Sequence, residues 1–330
     1  MLKKILFSLV LSGILSFAIA AVILWNLLQE PTQPLQQNLL VPKGVGVSWI
    51  ANELEQQGVI KNALLFQALT KFKGQENQLK AGEYDLNESL TMPELLDKLT
   101  SGDVIYNQVT LIEGWSFKQF KEHLIKQTKL EKELAELSDS EIMQRMGAEK
   151  LHPEGQFAPD TYQYQLGDSD LDVLKQSYRN MQNLLDETWS KRQPSKHIKT
   201  RQQALILASI IEKETGQASE RTTISGVFHN RLRIGMKLQT DPTVIYGMGD
   251  KYKGNIKRIH LRTDTPYNTY TRYGLPPTPI AMPGRASIEA ALNPVETDAL
   301  YFVGKGDGSH YFSKTLKQHN RAVARYQLGK

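Results

Sequence analysis

The chain has 330 residues and a mass of 37.4 kDa, room for two domains at about 100–200 residues each. Its hydrophobic share of 40%, charged share of 23% and mean hydropathy of −0.41 exclude wholesale disorder and a polytopic membrane protein. The absence of cysteine excludes disulfides, Cys-ligated zinc, iron–sulfur clusters and thiol catalysis. A net charge of +5 and a pI of about 9.0 suit an anionic partner such as cell-wall polymer, lipid headgroups or nucleic acid, and equally a plainly solvated surface.

The first element is apolar. Ile5 to Trp25 carries no charge, and about 20 such residues span a ~30 Å hydrocarbon core. Lys3 and Lys4 precede the run and the next basic residue is Lys43, so the positive-inside rule leaves residues 1–4 in the cytoplasm and exports the rest. Ala18-Ile19-Ala20 also resembles a signal-peptidase site. The run continues to Trp25, beyond the usual 7–15-residue core of a signal peptide, which favours a retained membrane anchor over residues 5–25.

Residues 26–40 read as a linker rich in Pro and Gln. A small α+β module is predicted over 41–102. It has a helix from Val47 capped by Ser48, a helix over Ala63–Phe72 capped by Asn62, a strand around Leu79–Leu86, and a helix from Ser89 or Thr91 to Leu99. Residues 103–330 form a larger mixed α+β domain. Its predicted elements are a strand over Val104–Ile112, helices over Ser116–Gln127 and Glu131–Met146, a loop over His152–Tyr164, and helices over Leu171–Trp189, Arg201–Thr215 and Thr222–Leu232. Beyond Gly235 come loops and short strands, then a helix over Gly284–Ala291, a strand over Ala299–Val303 and a helix over Lys314–Tyr326.

The chemistry concentrates between Arg201 and Tyr273. On a helical wheel Ala204, Leu207, Ile210 and Ile211 form an apolar face opposite Gln202, Ser209 and Lys213. Glu212 borders the polar side, whereas Glu214 falls on the apolar one, in the last turn before Gly216. Apolar surroundings and the helix C-terminus both favour a protonated carboxyl, which is what a general acid needs near neutral pH. A helix-end Glu bonded to a backbone group or to Arg221 explains the same placement. Asn230, Gln239, Thr240, Asp241, Tyr246, Tyr267 and Asn268 supply amides, a hydroxyl, a carboxylate and aromatic faces. These groups suit a sugar site, although irregular loops use the same residues for packing. The 7 histidines show no zincin spacing. No phosphate-binding glycine loop, no G-x-S-x-G elbow and no basic stripe for nucleic acid is present.

Ala208-Ser209-Ile210-Ile211-Glu212-Lys213-Glu214-Thr215, Ser219-Glu220-Arg221, Val227-Phe228-x-Asn230-Arg231-Leu232, Met236-x-Leu238-Gln239-Thr240-Asp241-Pro242-Thr243-Val244-x-Tyr246-Gly247 and Tyr267-Asn268-Thr269-Tyr270 closely resemble the endolytic murein transglycosylase, or YceG-like, family. Glu154-Gly155, Pro159-Asp160-Thr161-Tyr162 and Gly274-Leu275-Pro276-Pro277 match as well. The resemblance implies that 41–102 is a LysM-like module and 103–330 the catalytic domain. It places the essential acid at Glu214. It implies a lyase that cuts the MurNAc-β-1,4-GlcNAc bond of peptidoglycan strands without water and leaves 1,6-anhydro ends, with no metal or organic cofactor. It suggests work beside the peptidoglycan synthases of elongation or division. Two other readings stand beside it: a two-carboxylate hydrolase using Asp241, and a membrane-tethered wall-binding protein whose Glu214 is structural. A pyridoxal-dependent lyase, a label that similar sequences have carried, is set aside because export removes its substrate and no phosphate cup is seen.

Overall fold

The computed structural model describes residues 2–329, with side chains from Ile5 onward. Met1 and the side chains of Lys3 and Lys4, the residues behind the expected cytoplasmic N-terminus, lie outside the described residues. The chain divides into two compact units: residues 1–107 with 164–168, and residues 108–163 with 169–330.

In the first unit, α1 (Leu2–Gln29) is one continuous helix. Its Ile5–Gln29 stretch is 25 residues long with mean hydropathy 2.5, and its most apolar 18-residue window has none of its residues buried, which is enough to cross a membrane; a signal sequence near an N-terminus has the same composition. β1 (Leu39–Val41) pairs antiparallel with β2 (Gly82–Tyr84). Three helices cover this ribbon: α2 (Val47–Gln56), α3 (Ala63–Phe72) and α4 (Met92–Ser101). Their apolar faces meet around Ile50, Leu54, Phe66, Leu95, Leu96 and Leu99. Two predicted caps form: Asn62 accepts from Leu65 N–H, and Thr91 makes a reciprocal capping box with Glu94. Ser48 does not cap α2. Gly46 holds that position, and the Ser48 hydroxyl donates to Gln67 instead. Tyr84 is fully buried, its hydroxyl donates to the Lys80 and Leu99 carbonyls, and burial pushes its pKa up to about 12.

Residues 30–38 are not a free linker. Thr32 N–H donates to Leu90 O, Gln33 N–H to Val59 O and Leu35 N–H to Leu86 O, and the Thr32 hydroxyl accepts from Leu90 N–H. The segment is strapped onto the module, and Leu28 and Leu35 pack against its core.

The second unit begins with β3 (Asn107–Leu111), which pairs with β4 (Asp160–Tyr164), a strand where the sequence predicts loop. Between them lie α5 (Phe117–Ile125) and α6 (Asp139–Arg145). The single helix expected over Glu131–Met146 is broken. Leu134–Glu136 is a 3-10 turn, Leu137 is extended, and Ser138 starts α6 with a capping box. Asp170 causes the break by accepting from the N–H groups of both Glu133 and Leu134, at 2.9 and 3.0 Å.

The core is built around α8 (Arg201–Glu214), flanked by α7 (Asp170–Ser190), α9 (Arg221–Arg233), α10 (Asp241–Met248) and α12 (Arg285–Leu292), with the short α11 (Arg258–Arg262) beside α10. Residues Ala204 through Ile211 of α8 are all buried. Ser209 belongs to that buried set rather than to a wet face; its hydroxyl donates to Ile206 O and accepts from Ile280 N–H. The hairpin β5 (Tyr301–Gly304) and β6 (His310–Ser313) and the final helix α13 (Leu316–Tyr326) complete the unit. Two helices, α10 and α11, occupy a region expected to be loops and strands; Pro242 at the start of α10 fits the first helical turn.

Gly226 lets α9 approach the 295–297 loop. A Cβ there would lie 2.5 Å from Val295 O and 2.8 Å from Thr297 Cγ2. Alanine is the better helix former by about 1 kcal/mol, yet Gly226→Ala is expected to lower the melting temperature, because the backbone carbonyl cannot give way. Thermal denaturation of the two proteins checks this; an unchanged or raised midpoint would refute the close-approach argument.

Candidate active site

The two acids of Glu212-Lys213-Glu214 are sorted by the end of α8. Glu212 is nearly buried; it accepts from Gly284 N–H at 3.0 Å, at the start of α12, and sits 3.8 Å from Arg221. Lys213 reaches across to Gly114 O. Glu214, the last residue of α8, instead lines an open cleft of about 420 Å3.

Around Glu214 the structure gathers Arg231, Gln239, Thr240, Asp241, Tyr270, Tyr301 and His310 as cleft walls. Thr240 stands immediately before α10, where a threonine would ordinarily cap its own helix. It makes no side-chain cap; its hydroxyl donates to Glu214 Oε1. Neighbouring threonines hold Thr240 in this position. Its N–H donates to Thr269 Oγ1 at 3.1 Å, and its carbonyl accepts from the Thr243 hydroxyl at 2.7 Å. The preceding Gln239 has φ +50°, a left-handed conformation uncommon outside glycine, and its N–H donates to Thr269 O.

Asp241 sits in the first turn of α10 and accepts from the Tyr270 hydroxyl at 2.6 Å. It is the only other acid among the described residues lining the cleft. Arg231 is almost wholly buried. Its Nε donates to Leu300 O at 2.7 Å, its Nη1 donates to Leu238 O, and its guanidinium lies 5.6 Å from the centre of the Tyr301 ring. His310 N–H and Nδ1 face the two carboxylate oxygens of Glu220, at 2.9 and 2.7 Å.

Burial raises the Glu214 pKa above the ordinary carboxylate range. The Thr240 hydrogen bond pulls it back, the negative charge of Asp241 raises it, and His310 and Arg231 lower it. The carboxyl is therefore biased towards holding its proton while donors stand ready for the anion. That balance suits a group that gives up a proton and takes one back.

Of the residues singled out from the sequence, Glu214, Gln239, Thr240 and Asp241 come together in the cleft. The others do not line it. Asn230 donates to Thr297 O and Ala299 O, tying α9 to the loop before β5. Asn268 is fully buried and donates to the carbonyls of His260, Leu261 and Thr263. Tyr246 and Tyr267 meet edge to face at 4.8 Å, their hydroxyls bonded to Glu154 and Thr278. Arg231 and Tyr270 stand inside the sequence motifs but were not among the substrate contacts singled out, and His310 was not anticipated at all. Arg231 follows the apolar Val227-Phe228 at a spacing that turns it inward on α9, a readable signal; His310, brought in by a hairpin, carried none. Among the described residues no three His, Asp or Glu side chains are grouped to hold a metal ion.

A second carboxyl with a raised pKa lies outside the cleft wall. Glu154 is buried; it accepts from Phe117 N–H at 3.0 Å and from the Tyr246 hydroxyl at 3.1 Å, and burial pushes it up to about 7.

Known proteins share this chain's sequence and fold. A family model described as the YceG-like family matches residues 39–325. A Bacillus subtilis protein named endolytic murein transglycosylase is 37% identical over 306 residues, which cover 88% of this chain and 84% of that protein. A Streptococcus pneumoniae D39 protein of the same name is 30% identical over 87% of this chain, and the match spans 57% of the longer streptococcal protein. The crystal structure of a putative YceG-like protein from Listeria monocytogenes superposes with a TM-score of 0.57 at 31% identity, covering 86% of this chain and 97% of that one.

Two titrations test the electrostatics. By carboxyl NMR, Thr240→Val is expected to move the Glu214 titration to higher pH, since it removes a stabiliser of the anion, and Asp241→Asn to lower pH, since it removes a neighbouring negative charge. Opposite shifts would refute the assignment of causes. Separately, the raised folded-state pKa of Glu154 means that the folded protein holds this proton more tightly than the unfolded chain. Its contribution to stability is complete below about 4.5 and lost as pH rises through about 7. Denaturant titrations should show wild type losing up to about 3 kcal/mol across that window relative to Glu154→Gln; parallel curves would show that Glu154 does not titrate there.

Proposed function

The chain belongs to the YceG-like family, and we propose that it is an endolytic murein transglycosylase whose catalytic acid and base is Glu214. The observation that carries this reading is the Glu214 carboxyl, which lines an open cleft with its proton favoured, accepts from the Thr240 hydroxyl and shares the cleft with Arg231.

The substrate is a peptidoglycan glycan strand. Protonated Glu214 gives its proton to the oxygen linking MurNAc C1 to GlcNAc, and the C1–O bond breaks with the electron pair leaving on that oxygen. The resulting carboxylate accepts a hydrogen bond from the Thr240 hydroxyl and lies in the field of Arg231. It then takes the proton of the MurNAc 6-hydroxyl as that oxygen bonds to C1. The products are a GlcNAc end and a 1,6-anhydroMurNAc end; no water is consumed and Glu214 is protonated again. One carboxyl serves both steps because the nucleophile belongs to the substrate, whereas a hydrolase of ordinary type needs two carboxyls set about 5–9.5 Å apart. Asp241 and Gln239 line the same cleft and are assigned to gripping sugar hydroxyls, with Tyr270 and Tyr301 as aromatic walls.

The remaining parts fit a wall enzyme held at its place of work. α1 anchors the chain with Lys3 and Lys4 on the cytoplasmic side. The module over 41–102 is a LysM-like glycan-binding unit, and cutting takes place beside the synthases that extrude new strands.

Asp241 in the cleft also favours a two-carboxylate hydrolase, and product chemistry separates the two. Mass spectrometry of strands digested by the full chain in detergent should show anhydro ends, and Glu214→Gln should lose about 10²–10⁴ of the rate. Reducing ends that disappear in Asp241→Asn would establish the hydrolase instead. Strands bound but left uncut by both wild type and Glu214→Gln would leave only a wall tether.

A further inference from the structure

The small module carries an apolar face that its own core does not use. On α3, Ala63, Phe66, Leu69 and Thr70 point into the module. On the other side Leu64 is 75% exposed and Phe72 90% exposed, with Ala68 exposed between them. Residues 64, 68 and 72 follow one another at four-residue spacing and form a stripe on one side of the helix. A helix that is apolar on both faces is, in water, buried on both faces; α3 is buried on one.

The position of α3 says what covers the other. Its N-terminus stands at the end of α1: Asn62 and Leu65 of α3, Lys61, and Leu27 and Pro31 at the end of α1 line one apolar pocket of about 220 Å3. Lys61 also pairs with Glu30, and residues 32–35 are hydrogen-bonded to the module, so this arrangement has no slack. If a ~30 Å hydrocarbon core begins at Ile5, it ends near Leu24 at about 1.5 Å per residue. Leu27 then stands about 4–5 Å further out, within the headgroup layer. Whatever touches Leu27 is at that depth too. Basic Lys71 and Lys73 flank Phe72, and Lys73 is paired with Asp97 on α4 at 3.0 Å. That leaves Lys71 as the lysine placed as in helices that lie along a bilayer surface with their apolar side in the acyl boundary and their lysines among lipid phosphates.

We propose that α3 is a second membrane contact, an interfacial helix that lays Leu64, Ala68 and Phe72 into the headgroup region of the bilayer that α1 crosses. This rests on α1 being a retained membrane span. The module is thereby held flat on the lipid surface rather than swinging on a tether.

The absence of native cysteine makes every introduced thiol unique. Full-length Leu15→Cys, Leu64→Cys, Phe72→Cys and Ser190→Cys variants, each labelled with one environment-sensitive fluorophore, would be reconstituted into phosphatidylglycerol–phosphatidylcholine vesicles containing doxyl-labelled lipid. Leu15 reports the span, Ser190 on α7 the aqueous baseline. The proposal expects deep doxyl groups to quench Leu15, shallow ones to remove most of the emission at Leu64 and Phe72, and neither to affect Ser190. Quenching at Leu15 with Leu64 and Phe72 matching Ser190 would overturn the docking and leave the anchor standing. No quenching at Leu15 would remove the anchor and the proposal together. A label at Phe72 that ignores doxyl lipid but responds to added soluble glycan strands would also overturn it, reassigning the stripe to sugar.

Discussion

A helix buried on every side cannot end on an ionised carboxylate unless something is waiting for the charge. That constraint organises the second unit. Eight consecutive residues of α8, Ala204 to Ile211, are enclosed, and the helix C-terminus adds its own negative end to whatever follows. The two acids that come next are resolved in opposite ways. Glu212 is satisfied by the backbone that opens α12, so it fastens one core helix to another. Glu214 is given a hydroxyl, a buried guanidinium and an opening to solvent. The proposed catalytic acid is the residue for which the fold provides incomplete rather than full neutralisation.

Much of the surrounding polar framework serves to hold this balance without touching it. Thr269 and Thr243 fix Thr240; Tyr270 holds Asp241; Leu300 and Leu238 hold Arg231 in place through their carbonyls. Asn230 and Asn268 each gather backbone carbonyls from neighbouring loops. They act on the cleft only through the loops they close.

What could be read from the sequence was what depends on neighbours along the chain. The caps at Asn62 and Thr91, the long apolar first helix and the extent of α7, α8 and α9 follow from local spacing and emerge nearly residue for residue. The position of Glu214 at the end of α8 was legible for the same reason. What depends on distant partners was not. The break before α6 is imposed by Asp170, more than thirty residues downstream. The strand at Asp160 exists because β3 is there to pair with it. Asn268 has the same composition around it whether it holds a sugar or three carbonyls. The partner of Glu214 lies 26 residues away, just ahead of another helix, and Thr240-Asp241-Pro242 reads as a turn until α10 is seen to start there.

Thr240 also has a cost attached to it. By lending its hydroxyl to Glu214 it leaves the opening turn of α10 without the side-chain acceptor that a threonine at this place normally provides, an arrangement worth about 1 kcal/mol in ordinary helices. The working protein is therefore not the sturdiest version of itself. If Glu214 is the catalytic group proposed above, sequence drift that relaxes selection on cleavage should find an easy gain in robustness by freeing that hydroxyl to turn back on its own helix. A population of non-cutting descendants would be expected to harden at this spot first, trading chemistry for endurance through a single bond rotation.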